Sequence, residues 1–340
     1  MPKKKLLGCS FPVFIVVAVL VLVLFVIGLA SGPLKPILSL VGLGNLVVPS
    51  WLSVPQPHPE LPAEVVFHFF GFPVTNSLIA AWFTIIVLVV FIGVVARRPK
   101  FIPGRAQTVL EFILGSFLLS FCQRVAGESN GRRFFPIVAT IFLFVIFNAW
   151  LSLLPGFGSI LITNPEGHEV HLLRGANTDL NTPLALALIS FVAVAYFGLR
   201  ALGIRYVGQF INVGGFFAGV GLLFRGRIGA GLSGMFMGFI NFFIGLIELV
   251  SQLIRIVSFT LRLFGNMTAG EILLLVATFL LPFVFADIFY GLELLVGFVQ
   301  ALIFSSLTLI FLTLAVSAHG GDEHGHEHGH ENSHEKETSK

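Results

Sequence analysis

Charged side chains are scarce in this sequence. Asp, Glu, Lys and Arg together make up 11% of its 340 residues, where a soluble domain carries about 25%. A chain so poor in charge has no means of covering a water-facing surface of its size, which excludes an ordinary soluble enzyme. Cysteine is nearly missing. Cys9 and Cys122 are the only two; they lack metal-ligand spacing, and both fall on the side read below as cytoplasmic, so no disulfide is expected. Also absent are a phosphate-binding glycine loop, a nucleotide-fold pattern, a nucleophile–base set and any His-x-x-x-His inside an apolar run. The chain is therefore expected to do no bond chemistry, and no cofactor or resident metal is expected.

What is abundant is apolar. Hydrophobic residues reach 56%, with 38 Phe and 36 Gly, and the mean hydropathy is +0.96. Glycine is commoner in membrane helices than in soluble ones, and a lipid-exposed backbone must satisfy its own hydrogen bonds. Unbroken apolar runs, rather than alternating strands of about ten residues, give the fold class: an all-α membrane protein. It reads as a polytopic helical bundle of about six membrane segments, the last two a long tilted hairpin. The net charge of +3 comes from basic residues scattered in short loops, where they set topology; lipid is the expected surroundings and nucleic acid is not a partner.

Residues 1–32 form the first unit. Lys3, Lys4 and Lys5 precede the uncharged run Phe11–Ala30, long enough to span and oriented with its N-terminus inside. A retained anchor helix and a signal peptide cleaved near Gly28-Leu29-Ala30-Ser31 both fit. Residues 33–76 are read as an external loop, with eight prolines between 33 and 73. Residues 77–318 are the membrane domain, beginning with a span at 77–96 that Arg97 and Arg98 close on the inside. In 107–123, Val109, Leu110, Ile113, Leu114, Phe117 and Leu118 share a face opposite Glu111, the pattern of an amphipathic helix in the cytoplasmic interface. Spans at 135–154 and 183–199 follow, separated by an external loop, then a glycine-rich connector at 206–233. Next comes an apolar segment at 234–280, a break at Leu281-Pro282, and a last segment at 287–317. A span needs about 20 residues, so the segment at 234–280 is tilted, bent or partly in the membrane plane. Six segments starting inside end inside, which puts the tail 319–340 in the cytoplasm. Its alternating His and Glu suit Zn²⁺ or Ni²⁺, though a solvated disordered tail is the simpler reading.

Inside the segment 234–280 stand ionisable residues that cost about 3 kcal/mol each, or more than 10 on other scales. Glu248, Ser251, Arg255, Ser258, Arg262 and Asn266 follow helical steps of three and four and form one polar stripe. Glu271 does not join it: nine residues beyond Arg262, it is turned by about 180° and displaced by about 13 Å. On the last segment, Glu293 and Gln300 share a face, with Gln300 about 10 Å deeper. Across the connection at 281–286, Glu271 and Glu293 are expected to approach each other. That suggests a hydrated path on which carboxylates pass protons inward. Arg262 cannot be such a relay, because guanidinium keeps its proton. It is a fixed charge, useful as a barrier and as a partner favouring the ionised form of a carboxylate on another subunit. Polar residues that merely glue helices through hydrogen bonds are the alternative for Ser251, Ser258, Thr268 and Asn148.

The run Ser258-Phe-Thr-Leu-Arg262-Leu-Phe-Gly265-Asn266-Met-Thr-Ala-Gly270-Glu271 resembles the signature of subunit a of the F-type ATP synthase. So do Phe134-Phe-Pro-Ile-Val-Ala, Ala176-Asn-Thr-Asp179-Leu-Asn181 and Gln300-Ala-Leu-Ile-Phe. The resemblance covers most of the chain from about residue 64, leaving the first 35 or so residues and the tail outside. It implies a stator subunit that makes no bond itself, with the ring of c subunits, the peripheral-stalk b subunits and the rest of the complex as partners, in a bacterial cell membrane. It implies that Arg262 faces the ring and separates two half-channels. Asn266, Glu271 and Gln300 match positions on the proton path, and Glu248 and Ser251 match positions on its cytoplasmic half. Many bacterial members carry histidine where this chain has Glu293, and mitochondrial members carry glutamate. The alternative is a stand-alone ion-coupled secondary transporter or channel built on the same charges. That would show internal repeats and paired broken helices, and the sequence displays no convincing repeat.

Overall fold

The computed structural model describes residues 5–6, 9–34, 62–96, 104–154, 156–164, 167, 169–203, 206, 228–280 and 284–317. The expected connector 206–233 and the tail 319–340 lie largely or wholly outside these residues.

Helices dominate. They are α1 (Phe11–Ser31), α2 (Asn76–Ala96), α3 (Arg105–Ala126), α4 (Glu128–Ser152), α5 (Asn181–Leu202), α6 (Ile228–Leu280) and α7 (Val284–Ser317). Each contains a stretch long and apolar enough to cross a membrane, so among the described residues there are seven such helices, one more than the expected six. The additional one is Gln107–Ala126, read from sequence as interfacial. Its face also differs from expectation. Val109 is 55% exposed and Leu118 fully buried, because Phe112–Leu119 winds as a π-helix, whose wider turn shifts the helical period on which the expected face rested. At 53 and 34 residues, α6 and α7 are about 80 and 50 Å long at 1.5 Å per residue, against a hydrocarbon core of about 30 Å. Helices of that length are accommodated by tilting. Both outrun the expected bounds: α6 starts at Ile228 and α7 at Val284.

The chain divides into two compact units. One comprises residues 1–90, 144–182 and 262–301. Besides the minimal pairing of Lys5–Leu6 with Cys9–Ser10, it holds two short hairpins that a helix-only reading does not anticipate: β1 (Val65–Phe69) with β2 (Phe72–Thr75), and β3 (Leu161–Thr163) with β4 (Glu169–His171). The first pairs Phe69 with Phe72 around Phe70 and Gly71, both at positive φ, as a two-residue hairpin turn requires. A small core of Ala80, Ala81, Phe157 and Ala176 seats the loop after α4 on α2. Ser77 Oγ donates to Asp179 Oδ2 at 2.9 Å. Buried Asn148 of α4 donates to Thr84 Oγ1 of α2 at 3.2 Å and accepts from the Asn177 amide.

The other unit comprises residues 91–143, 183–261 and 302–340. Gly127, at φ 80, turns the chain from α3 into α4, a backbone conformation that suits glycine. The core joins Cys122, Phe134, Val138, Val194, Phe197, Leu309 and Leu312, with Phe134 edge-on to Phe197 at 5.1 Å. Ser190 and Thr308 are buried 2.9 Å apart, the interhelical hydrogen bond that replaces hydrophobic driving force where lipid is the solvent.

Candidate functional site

The polar residues of α6 are placed by the helix's own period. Phe259, Leu263, Met267, Gly270, Leu274 and Ala277 are buried at steps of three and four. Glu248, Ser251, Ser258 and Asn266 stand exposed, and Arg255 and Arg262 are half-buried. α6 is one unbroken helix, so the expected stripe holds as a face.

In the unit that contains residues 262–301, Asn266 Nδ2 donates to Gln300 Oε1 at 2.6 Å, which fixes the antiparallel register of α6 and α7. Gln300 is fully buried, and among the described residues its Nε2 has no partner. One turn further along α6, Gly270 leaves room for a buried carboxylate: a Cβ there would collide with Glu293. Glu271 is held differently. Arg174, from the loop between α4 and α5, donates from Nε to both of its oxygens at 3.1 and 3.3 Å and from Nη2 at 3.1 Å. The expected approach of Glu271 to Glu293 is thus met only in part: both line one cavity of about 650 Å³, but the partner of Glu271 is Arg174.

That cavity is also lined by Asn148, Asn177 and Tyr290. Asn177 is 1% exposed, and neither its side-chain oxygen nor its nitrogen has a partner among the described residues. Buried amides are almost always satisfied, and a polar cavity of this size satisfies them with water. Glu64 ties the surroundings together, accepting from Asn76 Nδ2 and from the His171 amide.

The unit that contains residues 183–261 carries a second polar set. Gln252 Nε2 donates to Glu248 Oε1 at 3.0 Å, and Arg255 Nη1 donates to Gln252 Oε1 at 2.8 Å. The Arg255 guanidinium lies 3.7 Å from the centroid of the Phe311 ring, a cation–π contact. Tyr206, beyond the end of α5, is buried beside this set; burial raises its phenol above the ordinary value, which Arg255 opposes and Glu248 reinforces.

A sequence profile of the family described as ATP synthase A chain matches residues 78–313, a stretch that includes both polar sets and Arg262. The chain belongs to that family. It is 29% identical over 249 residues to the ATP synthase subunit a of Gloeobacter violaceus, covering 73% of this chain and 86% of that one. It is 28% identical over 259 residues to the ATP synthase subunit a of Moorella thermoacetica, covering 76% and 98% respectively. It is accordingly a multi-pass membrane subunit of an ATP synthase, working with the rest of that complex.

Sequence reasoning placed Arg262, Asn266, Glu271, Glu293, Gln300, Glu248 and Ser251 as site candidates. The structure joins Asn266 to Gln300, seats Glu271 and Glu293 on one cavity, and links Glu248 to Arg255 through Gln252, while Ser251 stays exposed one turn from Glu248. Gln252 and Arg174 were missed. Arg174 had a signal: it is the only lysine or arginine between 155 and 182, and a carboxylate inside a span calls for a cation.

Proposed function

We propose that the chain translocates protons in the membrane sector of a rotary ATP synthase, offering two half-channels to a ring of c subunits and turning proton flow into ring rotation. Glu271, Glu293, Asn266 and Gln300 form the path from the outside. Glu248 and Ser251, with Gln252, form the path to the cytoplasm. Arg262 is the fixed charge between them: a proton on a ring carboxylate must leave before that carboxylate passes a guanidinium, because the nearby cation favours the ionised form. The observation that carries this reading is the position of Arg262, half-buried on the polar face of α6 between the two polar sets.

Six segments cross a bacterial cell membrane in this account, Gln107–Ala126 lies in the cytoplasmic interface, and the C-terminus is cytoplasmic. The b subunits of the peripheral stalk hold the chain against the turning ring. The chain itself is non-catalytic, and ATP is made in the soluble sector. Cysteine crosslinking in the purified complex tests the arrangement. A cysteine at exposed Ser258 should crosslink to a cysteine placed in the outer helix of the c subunit, and one at buried Leu263 should not. Crosslinking from Leu263 with none from Ser258 would turn the wrong face of α6 to the ring.

A further inference from the structure

The two carboxylates of the cavity are held in opposite ways. Glu271 accepts three hydrogen bonds from one guanidinium, and the remaining Nη1 of Arg174 donates to the Pro62 carbonyl at 3.0 Å. The side chains of Arg174 and Glu271 are 11% and 37% exposed, so the guanidinium is largely out of water while the carboxylate still faces the cavity. Guanidinium does not surrender its proton, and a two-toothed pair with carboxylate fixes geometry as well as charge. Protonating Glu271 would leave that guanidinium buried without its counter-charge, the costly way to break a buried pair. Glu293 is more deeply buried, at 6%, and its carboxyl lies over Gly270. Among the described residues no side chain pairs with it or donates to it.

We propose that Arg174 is a positioning residue that holds Glu271 as the permanent anion of the cavity, so that Glu293 alone carries the proton there. This rests on the proton-translocating reading above. A proton from cavity water forms an O–H bond on a Glu293 oxygen, and that bond breaks as the proton leaves along the α7 face toward Gln300. Throughout, Arg174 and Glu271 stay a charge-neutral pair that shapes the cavity and anchors the loop at Pro62.

The test uses the whole purified complex in vesicles, reading ATP-driven acidification beside ATP hydrolysis, with subunit composition as the measure of assembly. Glu293→Gln should lower acidification by more than about tenfold. Arg174→Gln and Glu271→Gln should each lower it, since the first frees the Glu271 carboxylate from its fixed cation and the second leaves the buried guanidinium without its counter-charge. The double variant Arg174→Gln/Glu271→Gln should recover to roughly threefold or more above the worse single variant, a positive coupling that a proton-carrying Glu271 cannot produce. A double variant as inactive as Glu271→Gln alone would overturn the proposal. If the neutral double does not assemble, the reversed pair Arg174→Glu/Glu271→Arg decides: an assembled, pumping complex supports the proposal and an assembled, silent one overturns it. Arg262→Ala in the same vesicles separates the two levels of the account. Surviving acidification there would sink the translocation reading itself, whereas a silent Arg262→Ala beside an unrescued double sinks only the role given to Arg174.

Discussion

Gly270 lacks a side chain where the Glu293 carboxylate lies. The two residues sit on different helices, and the absence of one methyl group on α6 makes the buried position of the acid on α7 possible. Alanine at 270 would favour helix by about 1 kcal/mol but overpack the contact, which costs about 1–3 kcal/mol. We expect Gly270→Ala to assemble into the complex and to lose most ATP-driven acidification, because the carboxyl is pushed out of its site. The check is acidification in vesicles normalised to ATP hydrolysis; pumping at the parental rate would show that the seat of Glu293 is not needed.

The pair Asn266–Gln300 makes a second prediction. Gln300 is fully buried and takes one short hydrogen bond from Asn266. Gln300→Leu keeps much of the volume but loses the hydrogen bond from the exposed Asn266 amide, at a cost of about 1 kcal/mol. A lowered thermal inactivation temperature of the complex, together with reduced proton flux, is the expected outcome. Gln300→Glu, which can still accept from Asn266, should retain more stability than Gln300→Leu, as read in the same melt.

Tyr206 gives an alkaline signature. Its phenol is raised above the ordinary value of 10 by burial, so the folded state favours the neutral form. For a group whose folded value is raised, the stabilisation is full below the unfolded value and is lost as pH rises through the folded one. The parent complex should therefore lose more stability above about pH 10 than Tyr206→Phe does. Thermal melts of the two between about pH 8 and pH 11 check it; parallel curves would show that Tyr206 makes no such contribution.

Cys122 is fully buried in the core formed with Phe134 and Leu309. In a Cys9→Ser background, a membrane-permeant maleimide should leave the native chain unlabelled and label it after denaturation, as mass spectrometry would register. Rapid labelling of the native complex would mean that this core opens.

How much of this was legible in the sequence follows from distance along the chain. The stripe from Glu248 to Asn266 lies within one helix, and a continuous helix obeys its own period, so those residues came out on the expected face. A hairpin of the last two segments was similarly readable from the break expected at Leu281-Pro282, but the hydrogen bond from Asn266 to Gln300 was not. The partner of Glu271 was not legible, for the opposite reason. Its partner Arg174 lies 97 residues away, and nothing local distinguishes a nearby carboxyl on α7 from a distant guanidinium in a loop. The contact of Arg255 was not legible either, since the ring of Phe311 that receives it is fixed only by tertiary packing. In Arg105–Ala126, helical arithmetic itself misled, because a π-helical stretch does not keep the 3.6-residue period.

The account stands or falls on Arg262. The most direct measurement is ATP-driven acidification by vesicles containing the complex with Arg262→Ala, with ATP hydrolysis recorded in parallel. The account predicts an assembled complex that still hydrolyses ATP and builds no proton gradient. A gradient formed at the parental rate would contradict it.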